Sequence, residues 1–507
     1  MSRILLTLFL IFVSTSLMAD PLIPYWSRTF GDNLPDVLTA LDTGPEDQII
    51  VTGNFQGGMN FGAEQIVSQG EYDIFLAALS QSGHVLWYTS FGDINNDKVR
   101  DLVVDSAGNI IIVGDFFGSM DFGGGLFTSA GDKDAFVAKF DANGNHLWSA
   151  VFGDSNYQSA QCVTVSPENN VVLAGQFTGV INLGGQEFSS MDQQELFLVT
   201  FDPDGSHLWS RAMMGAGDQW VHDIHLESSD WLYVVGSFEG WMDIGGDAIF
   251  SFAGLDAFLI LYTPSTGVLN WGGAYGNTGD QEARSVGCSE TGNPVIAGDF
   301  ENGILLGDVT LYNNGGRDLF LASLTNESDF LWAQGFGSSD DQYAENVAVG
   351  DYGEIAFTGF ARGSLDFGGG SIYSAGSFDV FLATFDSEGQ HRSSGLYGDS
   401  GEQRGIDLAW NSNQQLNLGA WFFSTIEFWP GFHSSYGNAD IALAQFESDP
   451  SSSPTSPQHL SLSASPNPFN PSTEIVFHSE YTTCVAGDIY TTTGRQLHTL
   501  QSRTLLE

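Results

Sequence analysis

The sequence predicts an all-β chain folded as a seven-bladed β-propeller of four-stranded antiparallel blades, and three observations predict it. Tryptophan recurs at Trp26, Trp87, Trp148, Trp209, Trp271 and Trp332, a step of 61 residues stretched once to 62. Other landmarks keep that step. A Gly-x-Phe string stands at Gly53, Gly114, Gly175, Gly236 and Gly298, shortens to Gly-Phe at Gly359 and degenerates at Gly419. An acidic residue recurs at Asp73, Asp134, Glu195, Asp256, Asp318, Asp379 and Asp440, in six of these seven copies two before a Phe. Seven copies of a unit this long are one repeated supersecondary element, stable only when neighbours stack. The third observation is the phase of the two ends. The chain enters at Tyr25–Phe30, which matches only the fourth strand of a unit, and leaves the repeats at Asp440–Phe446, which matches the third. Blade seven is complete only if the N-terminal strand clasps the C-terminal one, a closure that removes the open edges of a linear array.

The elements follow in order. Residues 1–19 read as a secretory signal peptide: Arg3, then an apolar Ile4–Val13, then Ser16-Leu-Met-Ala19 as a small-residue cleavage context. Ten apolar residues are too few for a permanent span, and no later segment reaches the ~20 that a transmembrane helix needs. The mature chain is therefore expected outside the cytoplasm, secreted or at the cell surface. Residues 20–447 are expected to form the propeller. In the second copy, Val99–Val104 and Ile110–Phe116 are strands joined by the turn Asp105-Ser-Ala-Gly-Asn109. A long Gly-rich loop, Gly118–Lys133, leads to strand Ala135–Phe140, the turn Asp141-Ala-Asn-Gly144 and strand His146–Phe152. Four β-rich runs punctuated by Asn, Asp and Gly make a meander. Ser448–Pro457 is a polar Pro/Ser linker.

Composition excludes several functions. The chain carries 62 acidic against 14 basic residues, a formal net charge of −48. Nucleic acid and anionic membrane surfaces are repelled, since binding them rests on Lys/Arg contacts to phosphate. The excess reads either as a solubility surface for an exported protein or as cation binding, which requires carboxylates to converge. Cys162, Cys288 and Cys484 cannot make a disulfide framework and are expected to be buried apolar residues. A monomer held by its hydrophobic core is expected.

Three resemblances add to this reading. The string Asp97-Lys-Val…Gly108-Asn…Val113-Gly-Asp-Phe…Lys133-Asp-Ala-Phe…Leu147-Trp resembles the bacterial SBBP β-propeller repeats over residues 25–447. That family defines no catalytic residues, so none is carried over. The Gly144…Trp148…Gly153 spacing is similar to the tryptophan-docking motif of quinoprotein propellers, which implies that each Trp packs on a neighbouring blade, with Ser393 as the replaced member in blade six. Ser465-Pro-Asn-Pro-Phe-Asn-Pro-Ser-Thr-Glu-Ile475, Ala486-Gly-Asp-Ile-Tyr490 and Thr493-Gly-Arg495 resemble the FlgD-like, Ig-like sorting domain of type IX secretion substrates. The likeness implies a partial, truncated Ig-like β segment over 458–507 and a partner in the export machinery.

Candidate sites lie on one face. Loops alternate between the two faces of the ring, and the longer ones share the face that carries the blade-to-blade crossovers. Ten residues after each Trp position stand Asp36, Asp97, Gln158, Gln219, Gln281, Gln342 and Gln403, expected to ring one mouth of the central channel. Asp218, Asp280, Asp341 and Glu402 precede four of them. Such a ring of oxygens suits a hard cation such as Ca²⁺. Equally, each Asp or Gln ties down its crossover backbone, and recurrence at all seven positions favours the tie. Asp93-Ile-Asn95-Asn-Asp97 has the 1-3-5 oxygen spacing of a calcium loop without its Gly or distal Glu. Trp220, Trp241 and Trp429 break the repeat and either stack on a glycan or partner protein or fill gaps under loops. His222 and His225, three apart on a strand, are not expected to form a ligand pair.

No Gly-x-Ser-x-Gly, His-Glu-x-x-His or phosphate loop appears. A non-enzymatic propeller presenting a binding face is the first reading. The alternative is a carbohydrate-active or quinoprotein-like enzyme with its site at the channel mouth. Its carboxylates would be Asp218, Asp280, Asp341 and Glu402. Quinoprotein alcohol dehydrogenases use eight blades and an adjacent Cys-Cys pair, and this sequence has neither.

Overall fold

The computed structural model describes residues 22–447, save 63, 64, 192, 228–230, 290, 291, 429 and 430, and backbone strands in the C-terminal unit. The signal peptide, the linker, Cys484 and Trp429 lie outside the described residues.

Seven four-stranded antiparallel sheets follow one another along residues 24–447. The first strands, Asp36–Thr43, Lys98–Val104, Gln158–Val165, Gln219–Glu227, Gln281–Cys288, Gln342–Val349 and Gln403–Trp410, each pack against the first strands of both neighbouring blades and so line the central axis. Blade seven takes its fourth strand from the N-terminus. Pro24–Phe30 pairs with Asp440–Glu447 through partners such as Ser27↔Ala444 and Phe30↔Ile441, the clasp that the split phase predicts.

The core is not one cluster but seven, each shared by two neighbouring blades. The last joins Leu38, Phe55 and Phe75 of blade one to Ala409, Ile441 and Leu443 of blade seven. An open array of seven would have six such layers; the seventh shows closure. Each fully buried Leu, Ile, Phe or Val contributes about 1.5–3 kcal/mol, so every interface is a substantial core.

The repeated glycine and phenylalanine explain one another. A Cβ at Gly114 would collide with the Lys98 carbonyl and with the ring of Phe136 on the adjacent strand, and the same holds at Gly53 with Phe75 and Gly298 with Phe320. Blade seven lacks the ring: Ala420 stands at the glycine position opposite Ala442, while Gly419, one residue earlier, pairs with Leu443 and a Cβ there would meet Leu38 of blade one. The string degenerates where its partner is absent.

The tryptophans dock across blades. Trp87 Nε1 donates to the Ala142 carbonyl of the next blade at 3.0 Å and its ring lies on Gly144, a turn residue at φ +79. Trp26, Trp148, Trp209, Trp271 and Trp332 donate equivalently, always to a residue 55 further on. Blade six has Ser393 because blade seven, closed by the N-terminal strand, has no third-to-fourth turn to receive a Trp.

The Gly-rich loop differs from expectation. Ser119–Asp121 and Leu126–Thr128 form a short hairpin, repeated in every blade, that buries Met120 and, next to it, Phe122. Glycine content suggested irregular chain; the apolar residues between the glycines fold it onto the blade. Cys162 and Cys288 are buried, and no disulfide joins them.

The C-terminal unit contains two antiparallel pairs, Ser461–Ser465 with Glu474–His478 and Val485–Tyr490 with Gln496–Ser502. Among the described residues no helix is long and apolar enough to cross a membrane.

Candidate functional site

The seven-membered Asp/Gln ring is present, and its atoms serve the backbone. Asp36 and Asp97 are fully buried; their Oδ2 atoms accept the amides of Asp32 and Asp93 at 2.8 and 2.9 Å. Gln158 Oε1 accepts Asp154 N at 3.0 Å while its Nε2 donates to the Thr178 carbonyl at 2.8 Å. Asp93 closes its own turn by accepting Asn95 N at 2.8 Å and holds the hairpin through Ser119 N at 2.9 Å. The preceding acids are more exposed and engaged differently. Asp280 lies 3.9 Å from Arg317, Asp341 3.4 Å from Arg362 and Glu402 2.5 Å from Arg404, while Asp218 accepts Gln194 N at 3.3 Å. Among the described residues no three Asp, Glu, His or Cys side chains converge as a metal group.

What the mouth gathers instead is side chains that vary between copies. Each first strand carries a one-residue bulge at the same register, as between Val99/Asp101 and Val221/Asp223. The skipped residues are Thr39, Arg100, Gln161, His222, Arg284, Glu345 and Ile406. A bulge frees a residue from the ladder and re-aims its side chain. Two residues earlier stand Val37, Lys98, Ser159, Trp220, Glu282, Tyr343 and Arg404. The carbonyl just before each third strand accepts the ring residue's amide, as Lys133 O accepts Gln158 N and Arg317 O accepts Gln342 N, both at 2.8–2.9 Å; this brings Lys133 and Arg317 to the same mouth.

The consequence is a concentration of positive charge in an acidic protein. Of the eleven Lys and Arg between residues 22 and 447, seven stand here: Lys98, Arg100, Lys133, Arg284, Arg317, Arg362 and Arg404. Three sectors result. Between blades two and three, buried Asp115 accepts Arg100 Nε at 2.8 Å, Lys133 Nζ at 2.5 Å and Ser159 Oγ at 2.8 Å. Burial opposes it, yet Arg100 and Lys133 hold the Asp115 carboxyl below its usual range. Between blades four and five, Glu282 lies 3.4 Å from His222, 2.9 Å from Arg284 and 2.8 Å from Arg317, and Arg317 also pairs with buried Asp299. Burial opposes it, but His222, Arg284 and Arg317 hold the Glu282 carboxyl at about 2. Burial raises Glu345, against the pull of Arg284, to about 7. The third sector is aromatic. Tyr343 stacks on Phe360 at 4.9 Å, Phe378 meets Phe360 edge-on at 5.2 Å, and Arg404 lies over Phe360 and Trp421 at 4.3 and 5.1 Å.

Of the candidate aromatics, Trp220 occupies the mouth register beside Gln219. Trp241 lies apart, in the blade-four hairpin, paired with Ala216 at the edge of blade three. Lys98, Arg100, Arg284, Arg317, Tyr343 and Glu345 are not singled out by the sequence, which weighs His222 only as a partner for His225. Their signal is a recurrence of Lys, Arg and aromatic residues in two registers of a chain with few cations.

Below the mouth, Asp407, Asp101 and Asp223 occupy one further register, each accepting an amide of a neighbouring first strand: Leu41, Val163 and Val286 at 2.7, 2.7 and 2.9 Å. These are ties between blades. On the opposite face a cleft of ≈ 440 Å³ between blades two and three is lined by Asp105, Lys139, Trp148 and Pro203. Its Lys139 is spent on Asp105 at 2.9 Å, and its Trp is a docking residue.

No protein-family profile matches the chain. An uncharacterized WD repeat-containing protein of Acanthamoeba polyphaga mimivirus is 21% identical over 193 residues, 32% of this chain and 14% of that protein. Among solved structures, a polysaccharide lyase, an ulvan lyase, aligns with TM-score 0.41 at 9% identity, covering 81% of this chain and 97% of its own. An apocarotenoid oxygenase of Synechocystis aligns at 0.40 and 10% identity, covering 85% and 95%. A puromycin hydrolase aligns at 0.37 and 10%, covering 76% and 58%. The chain thus spans about a seventh of the mimivirus protein and just over half of the hydrolase.

Proposed function

We propose that this is an exported propeller whose channel mouth binds an extracellular glycan or partner protein, with the C-terminal segment addressing the chain to its export machinery. The observation that carries the reading is the partition of the repeat. Registers that build the fold (docking Trp, Gly over Phe, the Asp/Gln ring) are nearly constant, whereas the mouth registers vary from blade to blade and hold Lys98, Arg100, Arg284 and Arg404 together with Trp220 and Tyr343, with Lys133, Arg317 and Arg362 beside them. A scaffold alone has no need of that diversity. The side-chain types are those that recognise polar ligands: Arg forks for planar acceptors and aromatic faces for stacking. A glycan and secreted-protein array is the test. Binding lost in Trp220→Ala and Arg404→Gln, with melting temperature retained, supports the mouth; binding indifferent to both removes it.

One observation favours a second reading, a carbohydrate-active enzyme at the same mouth. Glu282 and Glu345 have their acidities pushed apart, to about 2 and about 7, the pattern of a carboxylate and a carboxylic acid kept for different tasks. Incubation with polysaccharides that bind, followed by reducing-end assay, separates the two. Turnover abolished by Glu345→Gln with binding intact establishes the enzyme; binding without turnover establishes the first reading.

A further inference from the structure

We propose that the sector between blades two and three is a subsite for a carboxylate or sulfate group on an acidic glycan. The inference rests on the reading of the mouth as a binding face and names the chemistry of its ligand.

Three cations share one anion there. Arg100 and Lys133 both pair with Asp115, at 2.8 and 2.5 Å, and Asp115 is wholly inaccessible, so its charge is spent inward. Lys98 makes no ion pair among the described residues; its ammonium lies 5.5 Å from the Tyr72 ring. Lys98 and Arg100 come from one strand, Arg100 from the bulge. The four charged groups sum to two positive charges. Asp97 adds no counter-charge toward the mouth, since its carboxyl faces the amides of Asp93 and Phe117 at 2.9 and 3.3 Å. Burial first, and then the charges of Arg100 and Lys133, weaken the Lys98 ammonium's hold on its proton.

Arg100 and Lys133 keep about a third and a fifth of their side chains accessible. Donors therefore face solvent in a chain of net charge −48, where among the described residues Lys139, Arg284, Arg317, Arg362, Arg392 and Arg404 each have a carboxylate partner and Arg28 and Arg211 do not. A ligand oxygen anion supplies the missing partner. Trp220, in the register of Lys98 two blades on, offers a ring face to the rest of a sugar chain. That pairing of an anion site with a stacking face favours an acidic glycan over an acidic peptide.

The full chain is titrated by calorimetry with a uronate-containing oligosaccharide, its carboxyl-reduced counterpart, a sulfated oligosaccharide and oligoglutamate. The expected result is binding of the uronate or sulfated sugar, loss of binding on carboxyl reduction, and roughly tenfold or greater weakening in Lys98→Gln, a residue with no ion pair to lose. Uronate alone, or sulfate alone, identifies which group the site takes. Oligoglutamate bound as well as the sugars, anionic sugars not bound at all, or binding unchanged in Lys98→Gln with Lys98→Glu overturns the subsite. The broader mouth reading fails separately: it falls only if neutral and protein ligands are also indifferent to Trp220→Ala and Arg404→Gln.

Discussion

Asp36 has the acceptors of its repeat position but lacks the donor. Its counterparts Gln281, Gln342 and Gln403 each give an Nε2 hydrogen to the carbonyl 20 residues on, at 3.1, 3.1 and 3.0 Å. An aspartate has no such hydrogen unless it is protonated, and Asp36 Oδ1 is buried without a partner. Burial, then the charges of Asp32 and Asp440, raise Asp36 to about 8, and burial, then Asp93 and Asp73, raise Asp97 to about 7. Both folded values exceed the unfolded 3.8, so the native state binds more protons between those limits. The stability they give is complete below about pH 4 and is lost as pH climbs toward 8. Melting temperature is therefore expected to fall from pH 5 to pH 8.5. In Asp36→Gln/Asp97→Gln the fall is shallower and the protein is about 1–3 kcal/mol more stable at pH 8, because an unmatched acceptor gains a donor. Denaturation at the two pH values measures this. An unchanged slope would mean that both carboxyls are ionised and matched in the native state.

At the scale of elements, the clasp carries the greatest consequence. Pro24–Phe30 supplies a whole strand of blade seven, and further contacts fix it: Ser27 Oγ to His433 Nε2 at 2.6 Å and Tyr397 OH to the Leu22 carbonyl at 2.9 Å. Deletion of residues 20–30 exposes the Asp440–Glu447 edge, removes Trp26 from its dock on Gly83 and opens the blade-seven layer to water. The deleted chain is expected to melt well below the parent and to associate through its free edge, seen as lost monomer in size-exclusion chromatography. A monomer of parental stability would mean that the ring closes without the clasp. This element was legible in the sequence because the split phase is a topological fact, independent of local propensity. The hairpins were not, because Gly123 and Gly125 mask the apolar pair Met120 and Phe122 that folds the loop back. The seven Asp and Gln residues stand at or just before the start of the first strands, and which of their oxygens meet which amides is decided by the crossover path, which sequence spacing does not encode. The mouth was hidden for another reason: its registers vary from blade to blade, so no repeated residue marks Arg284 or Glu345 as neighbours across the ring.

For the whole molecule, the charge map joins stability to binding. A net charge of −48 repels itself over distances comparable with the ring when the Debye length is about 30 Å, at 0.01 M salt, and hardly at all when it is about 3 Å, at 1 M. The pairs at the mouth respond less, since Asp115 and Asp299 are wholly buried and buried pairs are weakly screened. Sodium chloride raised from 0.01 to 0.5 M is therefore expected to raise the melting temperature by relieving surface repulsion, with little loss from the mouth. Calcium chloride at matched ionic strength is expected to add no saturable step, because Asp36 and Asp97 are spent on amides and Asp280, Asp341 and Glu402 stand beside arginines. A melting curve indifferent to sodium but lowered by chelator would reverse both expectations: bound divalent ions would then be neutralising the acidic surface, and Asp280→Asn with Asp341→Asn would show whether the channel mouth holds them.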